Sequence, residues 1–233
     1  MKIITVENQE QGALQVLEIM EEQMDAGKLN VLGLATGSTM IPIYEKWVES
    51  DHSFENITSF NLDEYVGLDC KNKNSYSFFM DEHLFSKKRF KNTFIPNGVA
   101  EDLDQECVSY EVLLRENPLD IQFLGIGANG HIAFNEPGTS FESVTHVAAL
   151  TDSTLGSNSR FFENEEQIPT TALTMGISSV LAAKKIILLV FGEHKRFALE
   201  KLMEGKVSTD YPVTALINHS NVTVITDLGN IGA

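Results

Sequence analysis

Cysteine is nearly absent from this 233-residue chain. Its two copies, Cys70 and Cys107, lie far apart in neither a metal-ligand nor a redox spacing. That excludes a disulfide scaffold and a cysteine zinc site, and it suits a reducing, cytoplasmic setting. No run of about 18 apolar residues occurs, so no membrane-spanning helix is expected. The opening Met1–Glu7 has one lysine and too short an apolar run for a secretory signal. Basic residues are scarce, 17 against 33 acidic, for a net charge of −16. Such a surface repels phosphate backbones, so neither nucleic acid nor a membrane is an expected partner. The densest basic run, Lys87-Lys88-Arg89-Phe90-Lys91, reads as a solvated turn. Any anion must therefore be held by a few cations and backbone N–H groups focused in one cleft. The histidines are scattered, without His-Glu-x-x-His, and no Gly-x-Ser-x-Gly elbow occurs, so no metal site or serine nucleophile is expected.

The chain has the composition of a folded globular protein, 42% hydrophobic and 21% charged. At this length one α/β domain over residues 1–233 is expected. Apolar runs of strand length fall at Ile3–Val6, Val31–Ala35, Ile57–Asn61, Thr93–Ile95, Ile121–Gly125, Lys185–Phe191 and Val222–Thr226, with Val144–Leu150 a further candidate. Most are continuously apolar, as in a parallel sheet covered on both faces. Between them lie helical patterns. Ala13, Val16, Leu17, Met20 and Met24 share one face, with Gly27 placed to end that helix, and residues 102–116 and 193–203 also read as helices. The alternation predicts a three-layer α/β/α sandwich around a doubly wound, mostly parallel, Rossmann-like sheet. The polar stretch Thr151–Pro169 fits neither period. It reads as a surface excursion or a mobile lid, the pattern by itself favouring the excursion.

Ligands of such sheets bind at the carboxyl edges of the strands, so the loops there hold the candidates. After Val31–Ala35 comes Thr36-Gly37-Ser38-Thr39, followed by a helix start with Pro42 in its first turn. Free N–H groups there suit a phosphate, although spacing alone favours a plain cap by Ser38 or Thr39. After Ile57–Asn61 comes Asp63-Glu64, two carboxylates that point apart while the chain stays extended. One of them, partly desolvated, would make a general base, whereas a helix cap or a surface acid explains the dipeptide equally well.

The richest run follows Ile121–Leu124: Gly125-Ile126-Gly127-Ala128-Asn129-Gly130-His131-Ile132-Ala133-Phe134-Asn135-Glu136-Pro137-Gly138. It opens as Gly-x-Gly-x-x-Gly, but Pro137-Gly138 cuts off the helix that a dinucleotide fingerprint needs, so that reading is rejected. Asn129, His131 and Glu136 instead put an imidazole within reach of a carboxylate on a glycine loop, a set that can move protons near neutral pH.

Taken in order, these loops resemble the glucosamine-6-phosphate deaminase family. The matching text is Leu32–Thr39, Asn61–Leu68, Gly130–Pro137, Asn158-Ser159-Arg160-Phe161-Phe162 and Ala172-Leu173-Thr174-Met175-Gly176. The likeness runs along nearly the whole chain, and His131–Pro137 is its most specific part. It implies conversion of D-glucosamine 6-phosphate and water to D-fructose 6-phosphate and ammonium, in amino-sugar breakdown, without metal or organic cofactor. It makes Asp63 the base that moves the C2 proton to C1. His131 becomes the group that moves a proton between the anomeric hydroxyl and the ring oxygen, and Glu136 its partner in ring opening. Arg160 and Lys195 become phosphate-binding cations alongside Thr36, Gly37, Ser38 and Thr39, with Arg160 carried on a lid over 151–169.

Two departures stand out. Many relatives have aspartate where this chain has Asn129, whose amide oxygen is expected to accept the imidazole N–H and fix its tautomer. The chain also ends soon after Thr226, and His146, Ala148 and Ala149 stand where longer relatives carry effector ligands. A monomer or small homo-oligomer with hyperbolic kinetics is expected. Two rivals are a 6-phosphogluconolactonase-like hydrolase, which would be expected to lack Phe134–Pro137, and a non-catalytic sugar-phosphate sensor, which need not keep the acid–base set.

Overall fold

The computed structural model describes residues 1–151, 156 and 168–231. Among them, in chain order, are strands β1 (Lys2–Thr5), β2 (Val31–Leu34), β3 (Thr58–Asn61), β4 (Asp63–Tyr65), β5 (Asn92–Phe94), β6 (Ile121–Gly125), β7 (His146–Ala149), β8 (Thr171–Thr174), β9 (Ile186–Val190) and β10 (Val222–Thr226). The α-helices are α1 (Gln9–Asp25), α2 (Ile41–Glu49), α3 (Tyr76–Met80), α4 (Leu103–Glu116), α5 (Ile177–Leu181) and α6 (Arg196–Met203). A π-helical turn, Asp81–Phe85, continues α3, and a 3-10 turn, Glu193–Lys195, leads into α6.

Seven strands form one sheet in the order β1-β10-β9-β6-β2-β3-β5, every pairing parallel. From β2 the chain winds outward through β3 to β5. It then returns to the other side of β2 with β6 and winds the opposite way through β9 and β10. The fold is the doubly wound three-layer sandwich expected from the alternating pattern. β9 shows why its strands read as unbroken apolar runs: Ile186, Ile187, Leu188, Leu189 and Val190 are all fully buried, because helices cover both faces. Each such side chain contributes about 1.5–3 kcal/mol by leaving water.

The helices start where the sequence signals them. Asn8 caps α1 by accepting from Gln11 N at 3.0 Å, and Ala13, Val16, Ile19 and Met20 turn inward at helical spacing. Asp102 caps α4 in the same way, accepting from Gln105 N at 2.9 Å. The run Lys87–Lys91 lies between the π-helical turn and β5, with Lys87, Arg89 and Lys91 exposed while Phe90 packs against the core. No described helix is long and apolar enough to cross a membrane.

Two strands escape the sequence pattern. β4 and β8 pair antiparallel, and β8 also pairs with β7, giving a small second sheet, β4-β8-β7. Its cluster of Tyr65, Phe134, Ala148, Leu150 and Ala172 is separate from the main core. This sheet fastens the loop after β3 to the loop after β6.

Candidate active site

Four neighbouring strands, β9, β6, β2 and β3, each send a loop from their carboxyl ends to the same edge of the sheet. The chain reverses its winding direction between β2 and β6, so the loops after them diverge and leave a crevice, the usual ligand position in this architecture.

The loop after β2 is Ala35 to Met40. Gly37 has φ +94°, a left-handed conformation costly for other residues, and Met40 N closes the turn on Gly37 O at 2.9 Å. Met40, not Ser38 or Thr39, stands at the N-cap of α2, and no side chain caps that helix. The plain-cap explanation of Thr36–Thr39 is thereby corrected. The first-turn amides are left without a side-chain acceptor, as an anion cradle requires.

The loop after β3 continues as β4, where the paired acids separate. Glu64 is buried and accepts three backbone N–H groups: Tyr65 at 2.8 Å, Tyr76 at 2.9 Å and Ser77 at 2.8 Å. It is tied to the start of α3. Asp63 is equally buried, at 6% exposure, and no described residue hydrogen-bonds its carboxylate. Burial, and then the neighbouring Glu64 charge, push its pKa up to about 8.

The loop after β6 is held by its own backbone and by the small sheet. Gly127 N and Gly130 N bond to His131 O and Gly127 O, both at 2.9 Å. A Cβ on Gly127 would come within 2.3 Å of the His131 ring, so the imidazole lies directly on that glycine. Ala133 adopts φ +51°. Asn135 Nδ2 donates to Ile132 O at 3.0 Å and to Met175 O at 2.8 Å, and Phe134 N donates to Thr174 Oγ1 at 3.1 Å. Thr174 pairs with Asp63 across β8 and β4. The register of that ladder thus links the Asp63 strand to the histidine loop.

Within this loop His131 Nδ1 stands 3.5 Å from Glu136 Oε2, within ion-pair reach but longer than a formed hydrogen bond. Asn129 does not meet the imidazole as expected. Its Oδ1 accepts the His131 backbone N–H at 3.1 Å, and its Nδ2 donates to the same Glu136 Oε2 at 2.9 Å. With its oxygen committed to the backbone, Asn129 fixes Glu136 instead.

The loop after β9 supplies Lys195, in the 3-10 turn that follows Gly192. Its ammonium is part-buried, burial lowers its pKa, and no described carboxylate pairs with it. Arg160 and nearly all of the expected lid, residues 152–155 and 157–167, lie outside the described residues. The structure therefore brings Thr36–Thr39, Asp63, Asn129, His131, Glu136 and Lys195 to one sheet edge. It adds Tyr65, Tyr76, Phe134 and Thr174, which the sequence reading missed as site residues. Phe134 stacks on Tyr76 at 6.0 Å and an interplanar angle of 3°.

A sugar-phosphate enzyme of the doubly wound type fits this edge, with an uncapped helix start, a cation that no described carboxylate pairs with, and an acid–base set on the two strands flanking β2. Residues 6–225 match the family described as glucosamine-6-phosphate isomerases/6-phosphogluconolactonase, and the chain belongs to that family. It is 54% identical over 227 residues to the glucosamine-6-phosphate deaminase of Listeria monocytogenes serotype 4a (strain HCC23), covering 97% of each chain. Among solved structures it is similar to one described as a monomeric glucosamine-6-phosphate deaminase, with TM-score 0.94, 43% identity and 97% of both chains covered. The 6-phosphogluconolactonase of Trypanosoma brucei shares the fold at TM-score 0.78 and 16% identity, over 97% of this chain and 95% of that one.

Proposed function

We propose that this protein is an isomerising glucosamine-6-phosphate deaminase, converting D-glucosamine 6-phosphate and water to D-fructose 6-phosphate and ammonium. The observation that carries the reading is the order of the loops on the sheet. The Asp63 loop and the His131–Glu136 loop leave strands two ladder spacings apart, about 10 Å, with the anion turn of β2 between them. A phosphorylated sugar anchored at that turn would extend its first two carbons between the carboxylate and the imidazole.

The phosphate is held by the Thr36–Thr39 amides and Lys195, with Arg160 completing the set. A lysine without a carboxylate partner among the described residues and uncapped amides provide a local positive field inside a chain of net charge −16. His131, paired with Glu136, passes a proton between the anomeric hydroxyl and the ring oxygen, opening the ring. Asp63 then takes the C2 proton and returns it at C1, leaving an imine at C2 that water hydrolyses to the ketone and ammonium. A base with a pKa near 8 suits this step: it is a far stronger proton acceptor than an ordinary carboxylate, yet it ionises near working pH. The protein acts on this small molecule as a monomer or small homo-oligomer in the cytoplasm.

Ammonium release from glucosamine 6-phosphate tests the reading. Turnover is expected, with no hydrolysis of 6-phosphogluconolactone. The reverse result would make the chain a lactonase on the shared fold. Binding of the sugar phosphate without turnover of either compound would make it a sensor.

A further inference from the structure

Asn135 takes no part in the scheme above, yet its side chain completes a chain of hydrogen bonds that crosses the site. Leu62 N donates to Leu34 O, at the end of β2, at 3.0 Å. Met175 N donates to the carbonyl of Leu62, the residue before Asp63, at 2.7 Å. Met175 O in turn accepts from Asn135 Nδ2 at 2.8 Å, and the same Nδ2 donates to Ile132 O at 3.0 Å. Both of those neighbours are carbonyl oxygens, so only the N–H end of the amide can face them. Asn135 N also donates to Ile132 O, at 3.1 Å, closing a tight turn with His131 just before it and Glu136 just after. Met175 is a firm anchor. Ile177 N and Ser178 N are held by Ser143 Oγ and Ser143 O, both at 2.9 Å, and a Cβ on Gly176 would come within 2.2 Å of Ser143 O. The turn bears two local costs: Ala133 takes φ +51°, and Asn135 Oδ1 is buried with no hydrogen-bond partner among the described residues.

We infer that Asn135 is a positioning residue: its amide pins the turn between His131 and Glu136 to the Asp63 strand, and so sets the gap across which imidazole and carboxylate act on one sugar. The inference rests on the deaminase reading and deepens it. The other links in the chain are peptide groups, which nearly any sequence supplies. Asn135 is the link that depends on a choice of side chain, and a shorter or apolar residue would cut the tie between Met175 and Ile132. Misplacing reacting groups by about 1 Å costs up to about a hundredfold in rate. The phosphate is held by other loops, after β2 and β9, so its binding should not feel the change. Loss of the tie should therefore lower kcat and leave KM alone.

The test is Asn135→Ala, read by ammonium release from glucosamine 6-phosphate and by the Kd for inorganic phosphate from titration calorimetry, both well below the variant's own Tm. The substitution removes buried hydrogen bonds, so Tm should fall. At the chosen temperature the variant is folded, and its rate reports placement rather than unfolding. kcat should drop about thirtyfold, with KM and phosphate Kd within about twofold of wild type. An unchanged kcat in the folded variant would overturn the inference, and so would a loss that appears in KM or phosphate Kd instead. Should Asn135→Ala fail to fold, Thr174→Val decides. It keeps the side chain's shape and removes the second tie on the same turn, Thr174 Oγ1, which accepts Phe134 N at 3.1 Å. Its kcat should fall about fivefold at unchanged KM, and a wild-type kcat would overturn the inference. An inactive wild type that still binds phosphate would sink the deaminase reading instead, and the two failures are distinguishable.

Discussion

Two aspartates at opposite edges of the central sheet are both nearly closed to solvent, Asp63 the more deeply set, and they behave oppositely. Asp120, just before β6, is 8% exposed and accepts Asn30 N at 2.7 Å, Val31 N at 3.0 Å and Lys184 Nζ at 2.7 Å. Burial alone would push its carboxyl up, but Lys184 and the two amides outweigh it and hold the pKa below the ordinary range. Asp63, beyond the carboxyl end of β3, is 6% exposed without such partners among the described residues and is pushed up to about 8. Burial by itself does not make a carboxylate reactive. Partners satisfy Asp120 and assign it to holding strands together, whereas Asp63, set deeper and without such partners among the described residues, is left poised to take a proton. Even the polar cavity of about 380 Å³ beside Asp120, lined also by Lys28, Lys184 and Lys185, surrounds an acid already committed to structure.

Removing the poised acid should have the largest effect. Asp63→Asn should cut ammonium release about a thousandfold, within the usual range for losing a general base. Its raised pKa costs folding free energy once pH exceeds the unfolded value, and the full cost is reached above about pH 8. Asp63→Asn should therefore raise Tm at pH 9 and leave it near wild type at pH 4. In the wild type, kcat/KM should rise with pH through about 8. Wild-type turnover in Asp63→Asn would remove the contrast altogether.

Asp120→Ala should do the converse, losing about 1–3 kcal/mol of stability at pH 7 with little change in turnover of the folded fraction. That range sits below a fully buried ion pair because the Lys184 side chain is 68% exposed. Its depressed pKa makes the stabilisation complete above the unfolded value and lost as pH falls through the folded one, so the deficit should shrink below about pH 4. A selective loss of kcat would give Asp120 a chemical role and break the comparison.

Lys195 is the cationic counterpart of Asp63, part-buried and unpaired among the described residues. Lys195→Ala should raise KM about tenfold with kcat within about twofold, and a pure kcat effect would remove it from the phosphate site. The smallest change is expected for Asn129→Asp. It replaces a donor to Glu136 with a like charge, so the acid limb of the kcat/KM profile should move to higher pH by less than about one unit. An unmoved limb would separate Asn129 from the proton-transfer set.

The sheet and the loops after β2, β3 and β6 were legible because buried parallel strands are continuous apolar runs and glycine loops follow two of them. β4 and β8 were not. Asp63-Glu64-Tyr65 has no apolar run, and Thr171–Thr174 follows directly on the polar stretch, so neither declares itself without its partner. The Asp63-Glu64 pair was ambiguous for the same reason. Only the amides of Tyr65, Tyr76 and Ser77 show that Glu64 is the structural member, and two of these lie 12 and 13 residues away. Lys195 carries no local signal beyond its place after a strand, and resemblance alone singled it out. Asn129 was found by its spacing, but a sequence does not say which of two neighbours an amide will face.

Because the four loops spring from contiguous rungs of one ladder, β9-β6-β2-β3, their mutual placement is inherited from the backbone repeat and not from any loop's own rigidity. The outermost strands, β1 and β5, contribute no loop to this site, although β5 pairs directly with β3. Insertions, tags or circular breaks at those margins should spare the chemistry, whereas slipping a single central strand by one residue would scramble every role at once. The same frame could therefore be refitted with different loops for another reaction without redesigning its interior.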